Sequence, residues 1–338
     1  MTGQATDVKE RAAMRNDPCR LDWVDAAKGL GIVLVVAGHV WTRGAVRDAI
    51  YAFHMPLFFL LAGYCARPRP MGEFAGRQWH AMAAPYAAFL LALVLLDQAI
   101  EHARGHLPLF RTWGSAAWAM LLGGSELKGP LTIFWFVPCL FFARMAQNAL
   151  SRLWPDPRDW KWGAAMAVAL AGGLWIGARS DFSPLGLLAV PVALVLLWLG
   201  ALWRRIGGEG ALMLAGLGLS LLALLLWKPV PLNMKVGDYG IPLVSLALAA
   251  AMSLGLCAIA RALAGWRVLP FLGRRSLTIM YCHVAVIHYC APYMGKAALL
   301  ALAVIVPLIV HEALARTGWG RRYFLGMRGG EGAKSAPN

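Results

Sequence analysis

Apolar runs of close to twenty residues, separated by short polar stretches rich in Arg, Gly and Pro, set the rhythm of this chain. A run of that length matches the ~30 Å hydrocarbon thickness of a bilayer at 1.5 Å per residue, and in hydrocarbon a helix satisfies its own backbone. The pattern predicts about ten transmembrane helices, at 23–42, 49–66, 81–100, 130–147, 162–178, 183–203, 211–227, 241–260, 273–291 and 297–315. The fifth and seventh runs are short, and the ninth opens on Arg274 and Arg275. The intervening loops are too short for a separate soluble domain. The expected organisation is a polar tail over 1–22, one all-α integral membrane domain over 23–315, and a basic tail over 316–338. Residues 1–22 are too polar for a signal peptide, so the first span is expected to stay attached.

Composition agrees. Of the 338 residues 59% are hydrophobic and 14% charged, far from the balance of a soluble domain. The formal charge of +15 would suit a nucleic-acid partner, but its distribution does not. With the N-terminus in the cytoplasm, 22 of the 32 basic residues fall in the tails and cytoplasmic loops and only 9 on the opposite side. That is the positive-inside pattern of an N-in, C-in multi-pass membrane protein surrounded by lipid, with no nucleic-acid partner. The six cysteines are scattered without metal-ligand spacing and read as small packing residues, so no metal is expected.

The first span carries the most informative chemistry. Lys28 and His39 are eleven positions apart, about three helical turns, so they share one face at roughly 16 Å along the axis. Asp25 lies one turn before Lys28 and can pair with it. Ionisable groups inside a span are costly, and membrane proteins keep them for substrate or proton handling. The bland readings are a polar histidine near the far interface and a lysine that snorkels to the headgroups beside Asp25. Three further stretches stand out: Phe53-His54-Met55-Pro56-Leu57-Phe58-Phe59, Phe134-Trp135-Phe136-Val137-Pro138, and Leu269-Pro270-Phe271-Leu272-Gly273-Arg274-Arg275-Ser276 leading to His283. Pro56 predicts a helix start or kink at His54. His283 and His288 read as lining or packing groups, His283 being the better site candidate. Asp97, Glu101 and His102 read as a solvated interface that could contact a substrate.

Together with Asp25-x-x-Lys28-Gly29 and Gly38-His39, these stretches resemble the acyltransferase family 3 integral membrane proteins, and most closely the fucose 4-O-acetylase-like branch. The resemblance touches spans one, two, four and nine. It implies transfer of an acyl group, in this branch acetyl, from cytoplasmic acyl-CoA to a hydroxyl of a cell-surface glycan or its lipid-linked precursor, with no permanently bound cofactor. On this reading His39 is the general base, Lys28 and His54 complete the catalytic set, and Lys28, Arg77, Arg274 and Arg275 are the candidate anchors for CoA phosphates. Two motifs depart from the wider family. The third-span Arg-x-Arg is reduced to Arg77-Gln-Trp-His80, with Arg67-Pro-Arg69 earlier, and Trp135 has no neighbouring glutamate. The rival reading is a transporter or flippase for a lipid-linked saccharide, which would be expected to carry more charge in spans five to eight.

Overall fold

The computed structural model describes residues 21–226 and 229–327, and its secondary structure is all helical, without a β-strand among them. Most of the N-terminal tail, with Cys19, and the last eleven residues, with several of the basic residues counted for topology, lie outside the described residues. Eight helical segments are long and apolar enough to cross a membrane: Asp22–Val40, Ala45–Tyr64, Met71–Arg104, Gly129–Leu153, Pro184–Ile206, Glu209–Leu226, Pro242–Ala262 and Lys296–Ala315.

Two expected spans fall short of that standard. Trp160–Gly177 is a helix of 18 residues, but its Trp-Lys-Trp-Gly opening dilutes the apolar run. The ninth run is broken at Arg275 into Val268–Arg274 and Ser276–Cys290, and the second of these has only 15 residues. At 1.5 Å per residue that is roughly 22 Å, less than the ~30 Å core. The third span begins ten residues before the expected 81, because Met71–Gln78 and a π-helical turn at Trp79–Ala83 lead into Ala84–Arg104.

We label the helices that build the site α1 (Asp22–Val40), α2 (Ala45–Tyr51), α3 (His54–Tyr64), α4 (Phe136–Leu153), α5 (Val190–Ile206), α6 (Glu209–Leu226), α7 (Pro242–Ala262), α8 (Val268–Arg274), α9 (Ser276–Cys290) and α10 (Lys296–Ala315). Helix α1 is central: 67% of its spanning window is buried, against 17% for α6 and α10. Those outer helices turn residues such as Leu214, Leu221, Leu225 and Ile309 outward, where hydrocarbon can cover them.

Small residues set how closely the central helices approach. A Cβ on Gly29 of α1 would collide with the Leu269 carbonyl of α8, and one on Gly273 of α8 would collide with the Asp25 carbonyl of α1. Gly63 of α3 and Gly200 of α5 are related in the same reciprocal way, against the Leu197 and Leu60 carbonyls. Helix α3 is thereby held against α5, and α8 against the start of α1.

Candidate active site

Pro56 has no N–H, so a helix running through it would leave the Ala52 carbonyl without its partner. The chain breaks there: α2 ends at Tyr51 and α3 starts at His54. The break aims His54 inward beside Tyr51, with ring centroids 4.6 Å apart. It also leaves the Tyr51 carbonyl to accept from the Leu232 N–H, 3.1 Å away. That bond fastens the 229–241 loop over the end of α1, and a short turn closed by paired Asn233 and Asp238 backbones presents Lys235 from it.

A cavity of about 290 Å³ results, lined by His39, Arg47, Tyr51, His54, Thr132, Ile133, Trp135, Asn233 and Lys235 among others. The His39 ring centroid is 5.9 Å from that of Tyr51 and 5.0 Å, edge-on, from that of His283 on α9. Three histidines from three helices therefore converge, and all are fixed alike. Each Nδ1 donates to the carbonyl one turn back in its own helix: His39 to Val35 at 2.8 Å, His54 to Ile50 at 3.1 Å and His283 to Ile279 at 2.8 Å. That bond sets the tautomer and leaves every Nε2 with its lone pair free. The Nε2 of His283 is buried without a hydrogen-bond partner. A neutral imidazole held by Nδ1 and open at Nε2 is the arrangement a general base requires.

Lys28 is far from this cavity. It pairs with Asp25 at 3.2 Å, and Arg274 reaches the other oxygen of the same carboxylate at 3.6 Å, so two of the expected phosphate anchors meet at the start of α1. Arg275 pairs instead with Glu312 of α10 at 2.6 Å, and Arg77 with Glu73 at 3.3 Å. The structure thus brings His39 and His54 together and Lys28 and Arg274 together, while Arg77 and Arg275 go elsewhere.

The same face holds a second cavity, of about 330 Å³, that sequence reading did not anticipate. It lies where α3, α4 and α5 end and is lined by Arg67, Arg144, Arg204 and Arg205 with Gln147 and Asn148. Arg204 donates to the Tyr64 and Ala66 carbonyls at 3.5 and 3.4 Å, and Arg205 lies 3.7 Å from Asp156. Hydrogen bonds from Arg158 hold that carboxyl down to about 2, so it stays ionised. From His54 in the first cavity to Ala66 in the second is twelve residues, roughly 18 Å along the axis at the α-helical rise.

Asp97 and Glu101 are not a solvated interface. Asp97 is buried, accepting from the Tyr289 hydroxyl at 2.5 Å and the Leu109 N–H at 2.8 Å, and Glu101 pairs with Arg104 and His106. The Asp97–Tyr289 bond ties Ala84–Arg104 to α9. Among the described residues no group of His, Cys, Asp and Glu could hold a metal ion.

The family model described as an acyltransferase domain matches residues 21–311, a stretch holding the histidine cavity, the arginine cavity and the α1–α8 contact. No curated protein and no solved structure matches the chain. The match covers well over half of the sequence, and the chain belongs to the acyltransferase family 3 of membrane acyltransferases.

Proposed function

We propose that the protein moves an acetyl group from cytoplasmic acetyl-CoA to a hydroxyl of a cell-surface glycan or its lipid-linked precursor, in a bacterial inner membrane. The basic-residue asymmetry supports an N-in, C-in chain of ten membrane helices, with Trp160–Gly177 and the short α9 filling the two remaining places. The motifs shared with the fucose 4-O-acetylase-like branch support a sugar acceptor.

The observation that carries this reading is the pairing of two cavities along one short helix. One is rich in arginine, whose planar fork suits phosphate. The other holds imidazoles with free Nε2 atoms. The ~18 Å between them is of the order of an extended pantetheine arm. The phosphates of CoA rest among Arg67, Arg144, Arg204 and Arg205, with Lys28 and Arg274 nearer the centre of the same face, and the thioester reaches His39. The Nε2 of His39 takes the proton of the acceptor hydroxyl as its oxygen attacks the thioester carbonyl. The tetrahedral intermediate collapses by breaking the C–S bond, and the imidazolium returns the proton to the departing CoA thiolate. His54 and Tyr51 line the acceptor's side of this cavity.

Purified protein in detergent should release CoA from acetyl-CoA, and label from the acetyl group should appear on a glycan hydroxyl. Arg204→Gln should raise the KM for acetyl-CoA about ten- to a hundredfold, the range of a lost charge-assisted hydrogen bond, with the acceptor KM little changed. Transport of a saccharide lipid without CoA release would defeat the proposal.

A further inference from the structure

The histidine cavity has an unusual charge balance. Among the described residues no carboxylate lines it, and two cations do, Arg47 and Lys235. Arg47 is already answered: it pairs with Asp48 at 3.0 Å and lies over the Tyr51 ring at 4.0 Å. Lys235 has only neutral partners, donating to the Leu127 carbonyl and to the Thr132 hydroxyl, each at 2.8 Å. Among the described residues no acidic group lies within ion-pair distance of it. An ammonium has three N–H donors, so one remains to face the cavity.

Keeping such a charge half-buried is costly, and the cost shows. Burial, with the nearby Lys128 charge adding, pulls the Lys235 ammonium down to about 8. A cation held in place by two hydrogen bonds, poorly solvated and without a counter-ion is a site prepared for an arriving anion. Its position says whose anion. The donor's phosphates belong to the arginine cavity at the other end of α3. Lys235 instead lines the histidine cavity itself, from the 229–241 loop, apart from the arginines that line the other cavity.

We infer that Lys235 binds an anionic group, carboxylate or phosphate, carried by the acceptor sugar, so that the protein acylates acidic rather than neutral glycans. This rests on the acyltransfer reading. Electrostatic attraction brings the acidic sugar into the cavity, and the Lys235–anion contact turns one hydroxyl toward the Nε2 of His39. The covalent step is unchanged.

The test uses the purified full-length protein and three probes: p-nitrophenyl glucuronide, glucose 1-phosphate and the neutral p-nitrophenyl glucoside. Binding is measured by calorimetry, and acetyl-CoA turnover is measured with and without each sugar. The wild type should bind at least one acidic probe about ten- to a hundredfold more tightly than the glucoside, the range of one charge-assisted hydrogen bond. Whichever acidic probe leads separates carboxylate from phosphate. Lys235→Gln keeps donors for Leu127 and Thr132 while removing the charge. It should abolish that preference, whereas Lys235→Arg should restore it. Equal binding of acidic and neutral probes by the wild type overturns the inference. So does a matching loss of acceptor-free hydrolysis in Lys235→Gln, which would move Lys235 to the donor's carbonyl oxygen. Calorimetry needs no turnover. Absent CoA release from the wild type would therefore sink the acyltransfer reading, while the binding data would still decide whether Lys235 selects acidic sugars.

Discussion

Replacing His39 with alanine separates catalysis from architecture, and the structure sets the size of both effects. The ring donates from Nδ1 to the Val35 carbonyl. That carbonyl keeps its in-helix bond from the His39 backbone N–H, so no backbone group is orphaned. Alanine is the best helix former, and the substitution removes ring packing against Tyr51 and His283, whose centroids lie 5.9 and 5.0 Å away. Such pairs are worth about 0.5–1.5 kcal/mol each, so the fold should survive with a small fall in melting temperature. The reaction should not. A positioned general base contributes about 10²–10⁴-fold, or roughly 3–5 kcal/mol of barrier. The expected result for His39→Ala is a kcat for acetyl transfer down by that factor. The KM for acetyl-CoA should hold, because the arginine cavity is ~18 Å away along α3. Added imidazole should restore part of the rate, since the vacated space opens into the 290 Å³ cavity. Purified wild type and variant, compared by CoA release and by thermal unfolding in the same detergent, would show this. A variant that folds and keeps a tenth or more of the wild-type kcat would refute the assignment of His39 as the base.

The remaining predictions concern charge and packing. Lys235 titrates near pH 8, below its unfolded value, so its charge is present below that pH and is lost above it. The KM for an acidic acceptor should climb toward tenfold per pH unit above about 8, and Lys235→Arg, charged throughout, should flatten the climb. The same shift makes this group's burial penalty fade between pH 8 and its usual 10.5, so its contribution to stability rises with pH in that window. Gly200→Ala drives a Cβ into the α3 backbone at Leu60 and Tyr64, and should cost about 1–3 kcal/mol in thermal or denaturant unfolding. Gly218→Ala on α6, with nothing within 4 Å, should cost nothing.

Sequence alone locates what depends on runs of like residues. The run expected to span 23–42 forms α1 over Asp22–Val40, because charges bound it on one side and the Trp41–Arg43 turn on the other. Pro56 announces the break before α3, since a missing N–H acts locally. The break at Arg275 is not legible, and neither is the close glycine contact that seats α8 on α1, made by residues far apart in sequence. The same division runs through the site. His39 and His54 stand out because imidazoles are rare in apolar runs, and their meeting with His283 extends a signal already present. In sequence Lys235 is one loop charge among nine on its side, and its lack of an acidic partner is a property of the folded loop. Arg77 and Arg275 look no different in sequence from Arg144 and Arg204. Only the folded surface decides that the former meet glutamates and the latter line a concave face.

The interrupted second span also bears on how the protein is made. The Tyr51 carbonyl waits for the Leu232 N–H, which emerges from the ribosome 181 residues later, and His39 waits for His283. At a synthesis rate of about 5–20 residues per second, the interval from His54 to His283 lasts roughly 10–50 s. Throughout that time a nascent chain already in the bilayer has its imidazoles but lacks the loop and the wall that gather them. The cavity comes into being only when the last third of the polypeptide is inserted. Incomplete translation products therefore carry His39 and His54 without the Lys235 loop and the His283 helix that complete their surroundings.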